Sequence, residues 1–147
     1  MFRFESENKE YFEKLVPPRS NDYYEYDKFF IILESLLEEQ DEEKSFFYLV
    51  KNDWDAIIGR INIVDIDWES GHGNLGYRIG RTHTGKGIAS KALNMLLNQE
   101  NKITQLSAKT TQDNIGSQKV LEKNKFEIVE LRKEADYNFI YYRWFKR

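Results

Sequence analysis

The stretch Gly76–Leu93 constrains this chain most, because it reads as a strand, a tight glycine-bearing turn and the beginning of a helix. The residues Gly76–Gly80 are mostly apolar or aromatic and include no proline, which predicts the end of a strand. Apolar residues then recur at three- and four-residue steps, which predicts an amphipathic helix: Ile88, Ala89, Ala92, Leu93, Leu96 and Leu97.

Two glycines, Gly85 and Gly87, stand at the start of that helix on either side of Lys86. Because they have no Cβ atom, they let the backbone approach a ligand closely. The free amides of the first helical turn and the positive end of the helix dipole favour an anion there, typically a phosphate. A flexible turn before an ordinary helix is the alternative, and neither the Walker spacing nor the dinucleotide fingerprint is present.

A second stretch runs from Thr110 to Phe126 as Thr-Thr-Gln-Asp-Asn-Ile-Gly-Ser-Gln-Lys-Val-Leu-Glu-Lys-Asn-Lys-Phe. Together the two stretches resemble the acetyl-CoA-dependent N-acetyltransferase superfamily called GNAT. Thr84–Ala89 is similar to its pyrophosphate loop, [QR]-x-x-G-x-[GA], and Asn114–Phe126 to its N-x-x-S-x-x-[VL]-L-x-K-x-x-F helix. The pattern is most similar to the ribosomal-protein N-terminal acetyltransferases of the RimJ/RimL type, whose N-R-E-x-L-x-x-W-x-P segment resembles Asn8–Pro18.

The resemblance implies an α/β (α+β) GNAT fold, with a mixed, mostly antiparallel twisted sheet of about six strands and helices on both faces. The residue patterns predict helices over 1–15, 23–39, 86–99 and 114–124, and strands over 45–51, 56–67, 103–109, 126–133 and 137–145, with another strand ending at Gly80. The first three strands are predicted to form an antiparallel meander. The family normally begins with a strand, so the resemblance implies that this strand is missing from a single domain spanning 1–147.

Composition excludes several other classes of protein. A formal net charge of -3 argues against a general grip on nucleic acid. No apolar run is long enough to span a membrane and no signal-peptide pattern is present, so a cytoplasmic location is the default expectation. Cysteine is absent, which excludes disulfides, thiolate metal sites and an acetyl-cysteine intermediate. His72 and His83 are too isolated for a metal site, so no metal is predicted.

The resemblance assigns acetyl-CoA binding to a defined set of residues: Ile79, Gly80, Arg81, Thr84, Gly85, Lys86, Gly87, Ile88, Ala89, Ser90, Asn114 and Ser117. It places the pantetheine arm along 79–81 like an added strand, where the sheet splays. Thr84 stands where the family has Arg or Gln, so Lys86 or Arg81 would have to supply the missing charge. Asn114 is either a plain helix cap or also a hydrogen-bonding partner of the pantetheine.

Catalytic roles also follow from the resemblance. Many GNAT members have a thiolate-protonating tyrosine where this chain has Leu121, and in the Rim-type branch Ser117 takes that role. The alternative for Ser117 is that of a small residue for close helix–sheet packing. Asn74 stands where relatives often have a glutamate; it can orient an amine or a water but cannot accept a proton at neutral pH.

The general base is left open by the sequence. Glu69, His72 and Asp65 are near Asn74 in the chain, and His72 has the most suitable unperturbed pKa. An α-amino group, with a pKa of about 7.7–8.0, needs less help to lose its proton than a lysine at about 10.4. This difference favours an N-terminal amine or another amine of low pKa as the acceptor.

The predicted function is the transfer of an acetyl group from acetyl-CoA directly to a primary amine, that of a protein N-terminus such as a ribosomal protein's. One alternative is an acetyltransferase acting on a small amine, such as an amino acid, a polyamine or an antibiotic. The other is an acyl-CoA-binding module without turnover. The expected partners are acetyl-CoA and the amine, without nucleic acid or membrane, and either a monomer or a homodimer fits the sequence.

Overall fold

The computed structural model describes residues 1–15, 18–99 and 102–147. Its α-helices are α1 (Phe2–Glu7), α2 (Lys9–Leu15), α3 (Tyr26–Asp41), α4 (Ile88–Gln99) and α5 (Ile115–Lys123). Two short 3-10 helices are η1 (Asn21–Tyr24) and η2 (Arg81–His83). The strands are β1 (Phe46–Lys51), β2 (Ile57–Asp67), β3 (His72–Ile79), β4 (Gln105–Thr111), β5 (Glu127–Glu134) and β6 (Tyr137–Phe145).

The six strands form one mixed sheet in the order β1-β2-β3-β4-β6-β5. The first three strands are the predicted antiparallel meander. The pair β3–β4 is parallel, while β6 runs antiparallel to both β4 and β5. The predicted fold class is therefore confirmed, and from β1 onward the ends of the elements lie within two residues of their predicted positions.

The two predicted N-terminal helices differ from the structure. The helix predicted over 1–15 is interrupted at Asn8, whose side chain donates to the carbonyl of Phe4 at 2.9 Å and accepts from the amide of Arg81 at 2.8 Å. Pro17 and Pro18 are expected to end that helix, since proline cannot continue it; Pro17 lies outside the described residues. The helix predicted from residue 23 begins at Tyr26, because Glu25 is extended and separates it from η1.

Helices cover both faces of the sheet. Successive residues of a strand point to opposite faces, so one strand can contact helices on both sides. On one face, Ile61 and Ile63 of β2 pack with Leu93 of α4 and Leu121 of α5 in the main apolar core. On the other face, Arg60 of β2 reaches α1. The same alternation in β3 sends Tyr77 toward α5 and Arg78 toward α1.

The sheet opens between β3 and β4. Their parallel ladder joins only His72–Asn74 to Gln105–Ser107 within these fully described strands. Beyond it, β3 stays paired with β2 as far as Ile79, and β4 stays paired with β6 as far as Thr111. The two middle strands therefore diverge while each remains bound to its outer neighbour.

Candidate functional site

A cavity of about 630 Å³ occupies the opening between β3 and β4. Its wall includes the parts of β3 and β4 that do not pair with each other, namely Leu75–Ile79 and Ala108–Thr110. On one face of the sheet the wall continues into the glycine turn, α4 and α5, and on the other into α2 and the arginines beside it. The cavity thus passes through the sheet, and we refer to it as the through-sheet cavity.

The glycine turn has the conformation that an anion site at a helix start requires. Gly85 and Gly87 have φ angles of +73° and +75°, which glycine adopts freely and most other residues, apart from Asn and Asp, adopt only with strain. No protein atom lies within 4 Å of a Cβ built on either glycine, so the space beside them is open. Helix α4 begins at Ile88, and the amides of its first turn have no intrahelical acceptors. Both glycines line the cavity together with Thr84, Ile88, Ala89 and Ser90.

Three of the predicted cofactor-binding residues lie outside the cavity wall. The amide of Gly80 donates to the carbonyl of Ile58 at 2.8 Å, and the amide of Arg81 donates to Asn8. Lys86 is exposed on the turn without contributing to the wall. Of the predicted pantetheine segment, only Ile79 lines the cavity.

Thr84 and Ser90 line the cavity, but their side chains already have protein partners. The hydroxyl of Thr84 donates to the carbonyl of Arg81 at 3.0 Å and closes η2. The hydroxyl of Ser90 accepts from the side-chain NH₂ group of Asn124 at 3.0 Å. Asn124, buried at the end of α5, thereby ties the first turn of α4 to α5.

Asn114 and Ser117 both face the cavity from the beginning of α5. The side-chain oxygen of Asn114 accepts from the amide of Ser117 at 3.1 Å, so Asn114 is the helix N-cap. This bond uses the oxygen of the Asn114 amide and leaves its NH₂ group to other partners. The predicted cap is thus formed, while the pantetheine contact stays a prediction.

Tyr77 is joined to Ser117 inside the cavity. Its hydroxyl lies 2.8 Å from Oγ of Ser117 and donates to the Ser117 carbonyl at 3.2 Å. Burial raises the pKa of Tyr77 to about 12, and the Ser117 hydrogen bond offsets part of that effect. Tyr77 therefore stays protonated at neutral pH, and the two hydroxyls can exchange donor and acceptor roles.

On the opposite face, three arginines of the cavity wall surround one carboxylate. Nη1 of Arg60 donates to Oε1 of Glu5 at 2.8 Å, and Nη1 of Arg78 donates to Oε2 at 3.2 Å. Arg19 approaches the same Oε2 at 3.6 Å. The side chain of Glu5 is fully buried, and we refer to these arginines with Glu5 as the arginine cluster.

Asn74 and the three candidate bases, Asp65, Glu69 and His72, are not part of the cavity wall. Asn74 belongs to the paired part of β3, on the same face as Arg78, opposite Val64 and Ser107. Nε2 of His72 lies 2.8 Å from Oγ of Ser107, and burial, followed by the charge of Arg143, lowers its pKa. Among the described residues that line the cavity there is no aspartate or glutamate.

Sequence reasoning missed several wall residues that carried a readable signal. Tyr77 and Arg78 belong to the strand read around Gly76–Gly80, where alternation alone places them on opposite faces. Lys119 and Lys123 follow Gly116 at helical spacing along α5, and all three line the cavity. The arginine cluster had no such signal, because its members lie 55 and 73 residues from Glu5 in the bonded pairs.

In the described ranges 1–15, 18–99 and 102–147, no group of three or more histidine or acidic side chains could hold a metal ion. Across those same residues, no helix has both the length and the apolar character needed to cross a bilayer.

The sequence of residues 2–127 matches the family described as acetyltransferase (GNAT) domain. A relative from Bacillus subtilis (strain 168), named probable N-acetyltransferase YjcK, is 31% identical over 129 residues. That match covers 83% of this chain and 70% of the relative.

Solved structures with the same fold include ribosomal-protein-S5-alanine acetyltransferase from Vibrio fischeri. Its TM-score is 0.89 at 21% identity, covering 98% of this chain and 85% of that one. Another is microcin C7 self immunity acetyltransferase MccE in complex with acetyl-CoA and AMP. Its TM-score is 0.83 at 22% identity, covering 99% of this chain and 84% of that one. The predicted resemblance to ribosomal-protein acetyltransferases is thus matched by the neighbours in fold.

The cap of α5 generates a stability prediction. Asn114→Asp should leave the free energy of unfolding unchanged, because a carboxylate oxygen caps as well as an amide oxygen. Asn114→Ala should lower it by about 1 kcal/mol, the usual cost of a lost N-cap. Urea unfolding followed by circular dichroism measures both. A loss of equal size in the two variants would mean that Oδ1 of Asn114 does not hold the helix end.

Proposed function

Because this chain belongs to the GNAT acetyltransferase family, we propose that it moves an acetyl group from acetyl-CoA directly to a primary amine, that of a protein N-terminus such as a ribosomal protein's. The observation that carries the proposal is the through-sheet cavity, whose wall includes both the glycine turn and Ser117. A thioester held by the turn at one end would meet an amine arriving from the other face.

The half of the cavity beside α4 and α5, which we call the donor half because it would hold the acetyl donor, fits the phosphates and the pantetheine arm of acetyl-CoA. Pyrophosphate oxygens would accept from the amides at the start of α4, beside Gly85 and Gly87. Lys119 and Lys123 line the same half and supply positive charge where Thr84 replaces the family's Arg or Gln. The acetyl-CoA complex of MccE, a neighbour in fold, supports this choice of donor.

The pantetheine arm would lie along the open edge of β3, beside Ile79. Backbone groups of a strand that has lost its partner need other partners, and the amides of the arm can supply them. The NH₂ group of Asn114, which the helix cap leaves unused, faces the same space. Asn114 would thus both cap α5 and donate to the arm.

The reaction forms one bond and breaks one. The neutral amine nitrogen attacks the thioester carbon, a C–N bond forms and the C–S bond breaks. The proton that the nitrogen gives up to water is balanced by the proton that the departing sulfur takes up to become the thiol of CoA. As the C–S bond breaks, the hydroxyl of Ser117 would donate to the departing sulfur. Tyr77, still protonated at neutral pH, can then donate a hydrogen bond to Oγ of Ser117 in place of the one to the Ser117 carbonyl. Asn74 stays a predicted orienting group for the amine or a water.

The charge of the wall bears on the acceptor. Positive charges close to an ammonium favour its neutral form, and the described wall has arginines but no carboxylate side chain. An α-amino group, with a pKa of about 7.7–8.0, could therefore lose its proton to water without a dedicated base. A polyamine, which carries several positive charges, would be repelled by the same wall.

The test of the proposed function is acetyl-CoA turnover on peptides. CoA release should be detected with a peptide whose N-terminus is free and should stop when that N-terminus is already acetylated. A lysine inside the acetylated peptide serves as an internal control for side-chain acetylation. Transfer to neither amine would contradict the proposal, and transfer to the lysine alone would contradict the N-terminal part of it.

The glycine turn generates a charge-sensitive prediction. Gly87→Asn and Gly87→Asp introduce side chains of one shape, both of which tolerate a positive φ, into space free of protein atoms. The Asp variant should bind acetyl-CoA at least about tenfold more weakly than the Asn variant, because its charge repels the pyrophosphate. Calorimetry at two salt concentrations measures the difference. Equal affinities in the two variants would place the phosphates elsewhere.

Ser117 generates a prediction about turnover. Ser117→Ala should lower kcat by roughly tenfold to a thousandfold, while affinity for acetyl-CoA barely changes, because the hydroxyl acts on the departing sulfur. Tyr77→Phe should lower kcat less, since Tyr77 acts through Ser117. Ser70→Ala, which removes an exposed turn hydroxyl bonded to Asp67, is the control. If Ser117→Ala turns over at the parent rate, Ser117 is a packing residue.

A further inference from the structure

The arginine cluster holds more positive charge than its carboxylate can balance. Three guanidinium groups surround Glu5, and each lines the through-sheet cavity. Arg19 and Arg78 both approach a single oxygen, Oε2 of Glu5, at 3.6 and 3.2 Å. An arginine has five N–H donors, so the contacts that these two side chains make with described residues leave donors of each unused.

The side chains of the three arginines differ in how exposed they are. The side chain of Arg60 is 8% exposed and is held by Glu5 and by the hydroxyl of Tyr23, at 3.3 Å. Those of Arg78 and Arg19 are 16% and 27% exposed. Arg60 is thus the most buried of the three partners of Glu5, while Arg19 and Arg78, the two outer arginines, are more exposed and also line the cavity.

Each of the two outer guanidinium groups lies over an aromatic ring. The guanidinium carbon of Arg19 lies 4.2 Å from the centre of the Tyr23 ring, and that of Arg78 lies 4.9 Å from the centre of the Phe12 ring. A stacked guanidinium loses little entropy when it forms further hydrogen bonds. Crowding also shows in Arg78 itself, whose pKa is lowered first by burial and then by the charge of Arg19.

We propose that the acceptor amine belongs to a molecule that also carries a carboxylate, and that Arg19 and Arg78 bind this carboxylate. The proposal rests on the proposed function, since it gives the substrate class for the same cavity. A planar carboxylate matches the donor fork of arginine. It would also add a second negative charge to a cluster that has three arginines and one carboxylate, because the described residues of the cavity wall include no acidic side chain.

Two kinds of acceptor contain that chemistry. In one, the carboxylate is the side chain of an aspartate or glutamate within the first residues of a protein. In the other, it is the free α-carboxylate of an amino acid or short peptide. Both place a carboxylate a few bonds from a primary amine, and the experiment distinguishes them with separate ligands.

The first part of the experiment measures binding by calorimetry, both to the free protein and to the protein saturated with CoA. One pair of peptides has a free N-terminus and an amidated C-terminus, with Asp or Asn at the second and third positions. A second pair is the dipeptide Ser-Ala with a free or an amidated C-terminus. In at least one pair, the carboxylate form should bind about tenfold or more tightly, as expected for a charge-assisted hydrogen bond.

The second part uses arginine variants. Arg19→Gln and Arg78→Gln should each reduce the preference for the carboxylate form to less than threefold, whereas Arg19→Lys, which keeps the charge, should retain part of it. Arg132→Gln removes an exposed arginine of β5 that is paired with Glu130, and it should leave the preference intact. The melting temperature and the CoA affinity of each variant show that the fold and the donor half are preserved.

The outcomes separate this inference from the proposed function. A preference within the first pair identifies an acidic protein N-terminus, and one within the second pair identifies a small carboxylate-bearing amine; each supports the inference. Equal binding within both pairs, no binding of any peptide, or a preference that survives in both glutamine variants overturns it. Binding is measured without catalysis, so absence of acetyl-CoA turnover would count against the proposed function alone.

Discussion

The candidate site depends on how short the ladder between β3 and β4 is. In these fully described strands, parallel pairing stops at Asn74 and Ser107, while β2 and β6 keep hold of the two outer sides. The outer ladders keep the sheet in one piece as its middle opens, so a cavity passes through the domain without the loss of a strand. Backbone groups along the open edges then need partners, which makes this gap suited to an extended ligand chain.

The second constraint is electrostatic and lies on the other face of the sheet. A fully buried carboxylate is stable only where donors satisfy it, and Glu5 finds those donors on β2 and β3. Asn8, at the break between α1 and α2, adds a hydrogen bond from the amide of Arg81, the first residue of η2 just after β3. The N-terminal helices are therefore positioned along the sheet by directional contacts, in addition to the apolar packing of Phe4 and Phe12.

The sequence predicted the strands in their order along the chain, the glycine turn and the two helices that follow it. Those features depend on local periodicity and on glycine geometry. It did not predict the break at Asn8, because the partner of Asn8 is an amide 73 residues away. Leu121 was considered where a tyrosine was expected, while the tyrosine that contacts Ser117 is Tyr77, on a strand. The missed features share one property: they are contacts between elements far apart in the chain, which periodicity does not encode.

The wall of the cavity is divided along the chain as well as in space. The half beside α4 and α5 is lined mainly by residues after the end of β3, together with Tyr77 of β3. The half beside α2 is lined by Tyr11, Phe12, Leu15 and Arg19, together with side chains such as Arg60 and Arg78 from one face of β2 and β3. Substitutions in the N-terminal segment can therefore remodel the half of the cavity beside α2 while the backbone that lines the half beside α4 and α5 is unchanged. In evolutionary terms, the fold separates a part that must stay constant from a part that is free to diversify, and a new acceptor preference would require changes in only a short stretch of sequence.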